Sequence, residues 1–284
     1  MKGEGIHMNK IILITGASSG IGKAITEYLA SKDCVVYAGA RKDRDIDALN
    51  TLNNVKGIRL DVTSDEEIDD AVKRIKKEQG HIDCLINNAG IMGWGAVIDR
   101  TIDYYSFVFN VNVFGAVRMV KACYPLLTES TNNPIIFNIS SQGENYTMPF
   151  WSPYMMSKHA MKAFSSTLRR EMMSVGIRVV GIAPGAFKSN MLNSQKEALD
   201  KYEATHKSVF TPMVVKLLGI PVRNERKHEK SPLLIGKLLY KLLDNPNPKV
   251  RYQPGRKFFP DVILDKFPAK LVDKIFIKIL KKNK

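Results

Sequence analysis

Tyr154 and Lys158 stand four residues apart in a segment of helical periodicity, so both side chains leave one face with about 5 to 6 Å between their Cβ atoms. A phenol with its ordinary pKa near 10 is a poor acid or base at neutral pH, and a neighbouring ammonium favours its ionised form. Such a pair can pass a proton to or from the oxygen of a carbonyl or alcohol. Upstream, Ser140 and Ser141 end a strand-like apolar run that starts at Pro134. Alternation along a strand sends the two hydroxyls to opposite faces, and one of them can hydrogen-bond the same oxygen. A third feature is the run Thr15-Gly16-Ala17-Ser18-Ser19-Gly20-Ile21-Gly22, set where an apolar, β-branched segment passes into helical spacing. Backbone N–H groups at a helix start can meet a pyrophosphate, while Gly16, Gly20 and Gly22 permit a tight turn and close approach.

These groups need a scaffold that brings segments 140 residues apart to one edge. Short apolar runs begin near Lys10, Cys34, Val55, Ile82, Pro134 and Ile177, and stretches of helical periodicity separate them. One such helix begins after Ser64, with Glu67 three residues on as a capping box. Others are expected over Tyr104 to Leu127 and Tyr154 to Ser174. Strands alternating with helices imply right-handed crossovers and a parallel sheet. The fold expected is α/β, a doubly wound parallel sheet of the Rossmann type with a C-terminal helical extension. Residues 9–262 form one domain, and 263–284 an amphipathic basic helix. Residues 1–8, which end in a second methionine, read as an artificial remnant, with Met8 as the natural start.

Composition narrows the class. Of 284 residues, 44% are hydrophobic and 25% charged, the balance of a globular protein with a sizeable core. Cys34, Cys84 and Cys123 are far apart and lie in apolar runs, so they read as buried thiols of a reducing compartment; no metal site is expected. No run approaches the ~20 apolar residues of a membrane span, and a cytoplasmic location follows as the expectation.

Beside these residues the chain resembles the short-chain dehydrogenase/reductase family, from about Lys10 to Gly185. The glycine run, Asp61, the segment Asn87 to Gly90, Asn112, Ser141, the Tyr154/Lys158 pair and Pro184-Gly185 follow in the family's order. The resemblance implies hydride transfer between a nicotinamide cofactor and a carbonyl or alcohol. It favours Ser141 over Ser140 and adds Asn112, whose main chain would hold a water on a proton path, so that Asn112, Ser141, Tyr154 and Lys158 form a catalytic tetrad. Cofactor contacts are implied for Gly16, Ser18, Ser19, Gly20, Ile21, Gly22, Asp61, Val62, Asn88, Ala89, Gly90, Tyr154, Lys158, Pro184, Gly185 and Ser189. Asn87 lies on the same wall, and a homodimer or homotetramer built on the helices 104–127 and 154–174 is implied as well.

The end of the second strand selects the cofactor. An NAD site usually has a carboxylate there for the ribose hydroxyls, whereas this chain has Ala40, Arg41 and Lys42. A guanidinium can hold a 2′-phosphate by two parallel hydrogen bonds, so Arg41 points to NADP(H) over NAD.

Substrate identity is less legible. Met148, Phe150, Trp151 and Met191 are candidate wall residues of an apolar pocket, with 187–232 as the covering segment and His206 as a surface residue. From Ser231, a helix with Ser231 as cap and Pro232 in its first turn leads to Arg251 through Gly255 and a terminal helix, a tail resembling the extended family members near hydroxysteroid and retinol dehydrogenases. Residues 201–284 hold 20 Lys and Arg against 7 Asp and Glu, so most of the net charge of +15 belongs to this third. In the terminal helix Lys270, Lys274, Lys278 and Lys282 alternate with Leu271, Val272, Ile275, Phe276, Ile279 and Leu280. Packing on its own domain or a partner subunit, and peripheral contact with an anionic membrane, both fit that pattern; no nucleic-acid-binding module is visible. A non-catalytic NADP(H)-binding sensor is the alternative reading, and the intact Ser141, Tyr154 and Lys158 argue against it.

Overall fold

The protein is described by a computed structural model over residues 9–188, 193–223, 230–255 and 267–281. Seven strands, β1 (Ile11–Ile14), β2 (Val35–Ala40), β3 (Val55–Arg59), β4 (Cys84–Asn87), β5 (Ile135–Ile139), β6 (Arg178–Ile182) and β7 (Arg251–Tyr252), form one parallel sheet in the order β3-β2-β1-β4-β5-β6-β7. Every residue of β1, β4 and β5 is buried, because helices cover both faces and a parallel strand in that setting has no polar side to spare. On one face α1 (Gly20–Ala30) packs with α9 (Leu233–Leu243), where a Cβ on Gly236 would come within 2.9 Å of the Tyr28 Cβ. The other face is covered by α3 (Asp65–Gln79), α5 (Gly115–Thr128) and α6 (Ser152–Met172). The strand order reverses between β1 and β4, and in open α/β sheets the crevice beyond the strands' carboxyl ends at such a point is where ligands bind.

The remaining α-helices among the described residues are α2 (Asp43–Asn50), α4 (Ile102–Phe109), α7 (Asn193–Thr205), α8 (Thr211–Arg223) and α10 (Ala269–Lys281). Ser64 caps α3 as its sequence suggests, its hydroxyl accepting from the Glu67 N–H at 3.2 Å, a contact worth about 1 kcal/mol. The reciprocal half is redirected: the Glu67 carboxylate accepts from the Asp61 N–H at 2.6 Å and so fixes the chain just after β3.

Three expectations change. The single helix over 104–127 is α4 and α5 joined by a π-helical turn, Asn110–Phe114. Ser231 does not cap α9 with its side chain; its carbonyl accepts from the Leu234 N–H at 3.1 Å, and Pro232 holds the cap position. Strand β7 was not anticipated, since two residues carry no periodicity; it exists because Arg251 and Tyr252 pair with Gly181 and Ile182 of β6. The three cysteines are buried and free, with burial pushing the thiols of Cys34 and Cys123 up to about 12 and that of Cys84 well above its usual value. No helix among the described residues is long and apolar enough to cross a membrane.

Candidate active site

The turn after β1 opens the site. Gly16 has φ +66°, and a Cβ on Gly22 would sit 2.2 Å from the Gly16 carbonyl oxygen, so a side chain at Gly22 is incompatible with the turn. Asn88, after β4, braces it: its amide donates to the carbonyls of Thr15 and Gly16 at 2.9 and 3.0 Å. Thr15 Oγ1 in turn accepts from the N–H groups of Asn88 and Ala89, both at 3.0 Å. Ser19 is the N-cap of α1 but its side chain caps nothing, which leaves the first-turn N–H groups facing the crevice. That cradle of open amides and glycines fits a pyrophosphate at the positive end of a helix dipole.

A cleft of about 830 Å³ runs from this cradle across the sheet's carboxyl edge. Gly16, Ser18, Ser19, Gly20, Ile21, Gly22, Arg41, Asp61, Val62, Asn88, Ala89, Gly90, Pro184 and Gly185 border it, together with Ser141, Tyr154, Lys158, Met148 and Trp151. Ser189 and Met191 lie outside the described residues. Asn87 turns away: it is buried and donates to the Asn138 amide oxygen at 2.9 Å between β4 and β5. Phe150 is not on the cleft wall. It packs with Trp94 and Leu199 under the covering helices and meets Phe210 at 6.2 Å, with φ +68°, a left-handed conformation rare for an aromatic residue.

At the centre, Ser141 lies two residues after β5 and is the N-cap of a 3₁₀ turn, its hydroxyl accepting from the Gly143 N–H at 3.2 Å. The same hydroxyl is hydrogen-bonded to the Tyr154 phenol and favours its ionised form. Ser140 serves elsewhere, hydrogen-bonding the Glu144 carboxylate and reaching the Lys158 carbonyl at 3.5 Å. Lys158 Nζ lies 5.5 Å from the centre of the Tyr154 ring. Burial dominates both groups: it pushes the phenol above its usual value and pulls the ammonium from 10.5 down to about 8, while the Glu144 charge raises both. Lys158 therefore does not by itself lower the phenol, contrary to the expectation from helical spacing. The two side chains are neighbours as foreseen, but burial costs the phenolate more than the Ser141 hydrogen bond returns.

Asn112 falls inside the π turn and is buried. Its side chain accepts from the Ile91 N–H at 2.7 Å and donates to the Ile91 carbonyl at 2.9 Å and to Ser157 at 3.0 Å, which ties the loop after β4 to α6. The wider turn is seen in the Gly115 N–H donating to the Asn110 carbonyl, five residues back instead of four.

The family pattern described as short chain dehydrogenase matches residues 10–200. The chain is a short-chain dehydrogenase/reductase. As a member of this family it is an oxidoreductase that uses a nicotinamide cofactor on carbonyl or alcohol groups. Among curated relatives it is similar to the 3-ketodihydrosphingosine reductase of Bacteroides thetaiotaomicron, 32% identical over 87% of this chain and 88% of that one. It is also 31% identical to the NADPH-dependent 3-dehydrocapnine reductase of Ornithobacterium rhinotracheale, over 95% and 97% of the two chains. Mouse estradiol 17-beta-dehydrogenase 2 is 30% identical, over 95% of this chain and 74% of its own. A short-chain dehydrogenase from Streptomyces avermitilis superposes with a TM-score of 0.75 at 25% identity, covering 96% and 95%.

Sequence reasoning missed several residues of this dehydrogenase's cleft: Met92, Gln142, Tyr146 and Met155 also border it, as does Phe187, the first residue of the segment expected to cover the site. Met92, Gln142, Tyr146 and Met155 carry no local signal. The covering helices are latched by the loop after β4. Tyr202 and Ser208 both donate to the Asp99 carboxylate, at 2.5 and 2.8 Å, and Arg100 stacks over Trp94 and Tyr202. His206, read as a surface residue, is half-buried and stacks on Tyr202 with ring centres 4.2 Å apart.

Proposed function

We propose that this short-chain dehydrogenase is an NADPH-dependent reductase of long-chain, lipophilic ketones. The observation that carries the substrate class is the apolar arm of the cleft beside Tyr154, walled by Ile91, Met92, Met148, Trp151, Met155 and Phe187. Apolar walls converging on two or three polar groups are how proteins orient a lipophilic substrate. Two relatives that match the chain almost end to end are named as reductases of 3-ketodihydrosphingosine and of 3-dehydrocapnine, which supports a ketone on an alkyl chain.

In this reading the bound cofactor supplies the hydride. Ser141 hydrogen-bonds the ketone oxygen, and Tyr154 delivers the proton that oxygen needs as negative charge develops on it. Lys158, on the same helical face, holds a positive charge beside the phenol and binds the cofactor's ribose. The main chain around Asn112 holds a water through which Lys158 is reprotonated.

Arg41 supports the choice of NADPH. Its guanidinium is largely exposed at the cleft rim, 3.8 Å from the Asp61 carboxylate, and Arg59 donates to its carbonyl at 2.7 Å. An ordered main chain and a loosely held guanidinium suit a 2′-phosphate better than ribose hydroxyls. With 3-ketodihydrosphingosine as substrate, NADPH is expected to exceed NADH by at least ~10-fold in kcat/KM. Arg41→Ala should weaken NADPH use by ~10- to 100-fold and leave NADH nearly untouched, the loss of a charge-assisted hydrogen bond. Equal use of the two cofactors by the wild type would sink the NADP(H) assignment. Turnover of short ketones but not the long one would sink the substrate class.

We also infer peripheral contact with anionic membranes through α10. Leu271, Ile275, Ile277 and Ile279 are exposed on a helix that carries Lys270, Lys274 and Lys278. Apolar area plus cationic charge is the combination that holds a helix in a lipid interface. In sedimentation with phosphatidylglycerol-containing vesicles, the full chain should pellet and a chain ending before Ala269 should not. Equal pelleting of both would assign the contact to another surface.

A further inference from the structure

Behind the catalytic serine lies a buried carboxylate that hydride transfer as described above does not use. Glu144 closes the 3₁₀ turn that Ser141 opens, its N–H donating to the Ser141 carbonyl at 3.0 Å, and it is only 3% exposed. Its carboxylate pairs with the Arg251 guanidinium of β7. Arg251 donates also to the Asn145 amide oxygen at 2.6 Å, and Lys162 of α6 donates to that oxygen at 3.1 Å. Ser140 completes the carboxylate's partners. The charged groups facing Glu144 are therefore Arg251 from β7 and Lys162 and Lys158 from α6, with Tyr154 on the same helix.

We propose that Glu144, anchored by Arg251, is a positioning residue that holds the Ser141 turn in place and whose negative charge sets the pH range over which Tyr154 gives up its proton. Three features carry this. A carboxylate is seldom buried unless it is paired, and leaving either partner alone in such a place is strongly unfavourable, so the two charges are kept together. The pair joins two segments 107 positions apart, so the short strand β7 reaches the catalytic centre through it. Finally, the Glu144 charge acts on both Tyr154 and Lys158, and Arg251 pairs with that carboxylate. The direction follows: a negative charge near the phenol opposes phenolate, keeps the ammonium protonated, and so preserves Tyr154 as a proton donor for reduction.

The test needs no substrate and so stands apart from the assignment of the ketone. The tyrosinate absorbance of Tyr154 is titrated with NADP+ bound, as the difference between each protein and the same protein carrying Tyr154→Phe. Glu144→Gln should lower the midpoint by at least ~0.5 pH unit, and Glu144→Asp, which keeps the charge, should leave it near the wild-type value. If Glu144→Gln leaves Arg251 unpaired and the protein does not accumulate, the double variant Glu144→Gln/Arg251→Gln replaces both charges by amides. Its midpoint should still fall, because Glu144 is the charge that reaches the phenol. An unchanged midpoint in a folded, NADP+-binding Glu144→Gln or double variant overturns the proposal. So does an equal shift in Glu144→Gln and Glu144→Asp, which would trace the effect to shape and not to charge.

Discussion

Tyr154→Phe is expected to lower kcat/KM for ketone reduction by ~10³-fold while leaving NADPH affinity within ~3-fold of the wild type. The ring stays, so the wall of the cleft is unchanged and Trp151 keeps its edge-on contact at 6.1 Å. What goes is the hydroxyl bonded to Ser141. A positioned general acid contributes roughly 10²- to 10⁴-fold, and here the same oxygen also shares the hydrogen bond that orients the substrate, which places the loss in the middle of that range and not at its foot. The pH profile adds a second criterion. Burial holds the phenol above its usual value, so Tyr154 carries its proton throughout the neutral range and reduction should stay level there. It should fall only on the alkaline side, where the reverse oxidation rises. A Tyr154→Phe enzyme keeping more than ~10% of its activity would mean that the proton reaches the substrate by another route, such as a water chain ending at Lys158.

How much of this was legible in the sequence depends on the range of the interaction. The turn from β1 into α1 is a local matter of apolar strand, glycines and helix start, and the structure places Gly16, Gly20 and Gly22 as their spacing suggests. The i,i+4 relation of Tyr154 and Lys158 is likewise helical geometry. The protonation balance of the pair is not, because it depends on burial and on Glu144, whose partner is supplied by a strand of two residues near the end of the chain. Phe150 looked like a pocket residue since it sits between Met148 and Trp151, but a left-handed backbone turns its side chain under the covering helices. The π turn at Asn112 was not legible either: it is defined by a backbone hydrogen bond five residues back, which no residue type in the segment marks.

Lys158→Met is expected to act in two opposite directions, removing turnover by ~10²-fold or more while raising the melting temperature of the cofactor-free protein at pH 7. Lys158 is 6% exposed, and burial brings its ammonium from 10.5 down to about 8. A folded-state pKa below the unfolded one means that the unfolded chain holds the proton more tightly between those two values. Below pH 8 both states are charged and the folded protein carries the full cost of the buried ammonium, at most about 3 kcal/mol. As pH rises from 8 toward 10.5 the folded lysine is already neutral, the cost is relieved, and wild-type stability rises relative to the variant. Methionine fills the space of the lysine stem without a charge, so its advantage should be greatest at pH 7, ~3–8 °C in melting temperature, and gone by about pH 10. Calorimetry of both proteins at the two pH values measures it. A variant that melts no higher than the wild type at pH 7 would show that the Lys158 ammonium is fully compensated by its surroundings. The expected outcome instead identifies stability given up so that a charge can stand beside Tyr154, the usual relation between a strained active site and the scaffold that carries it.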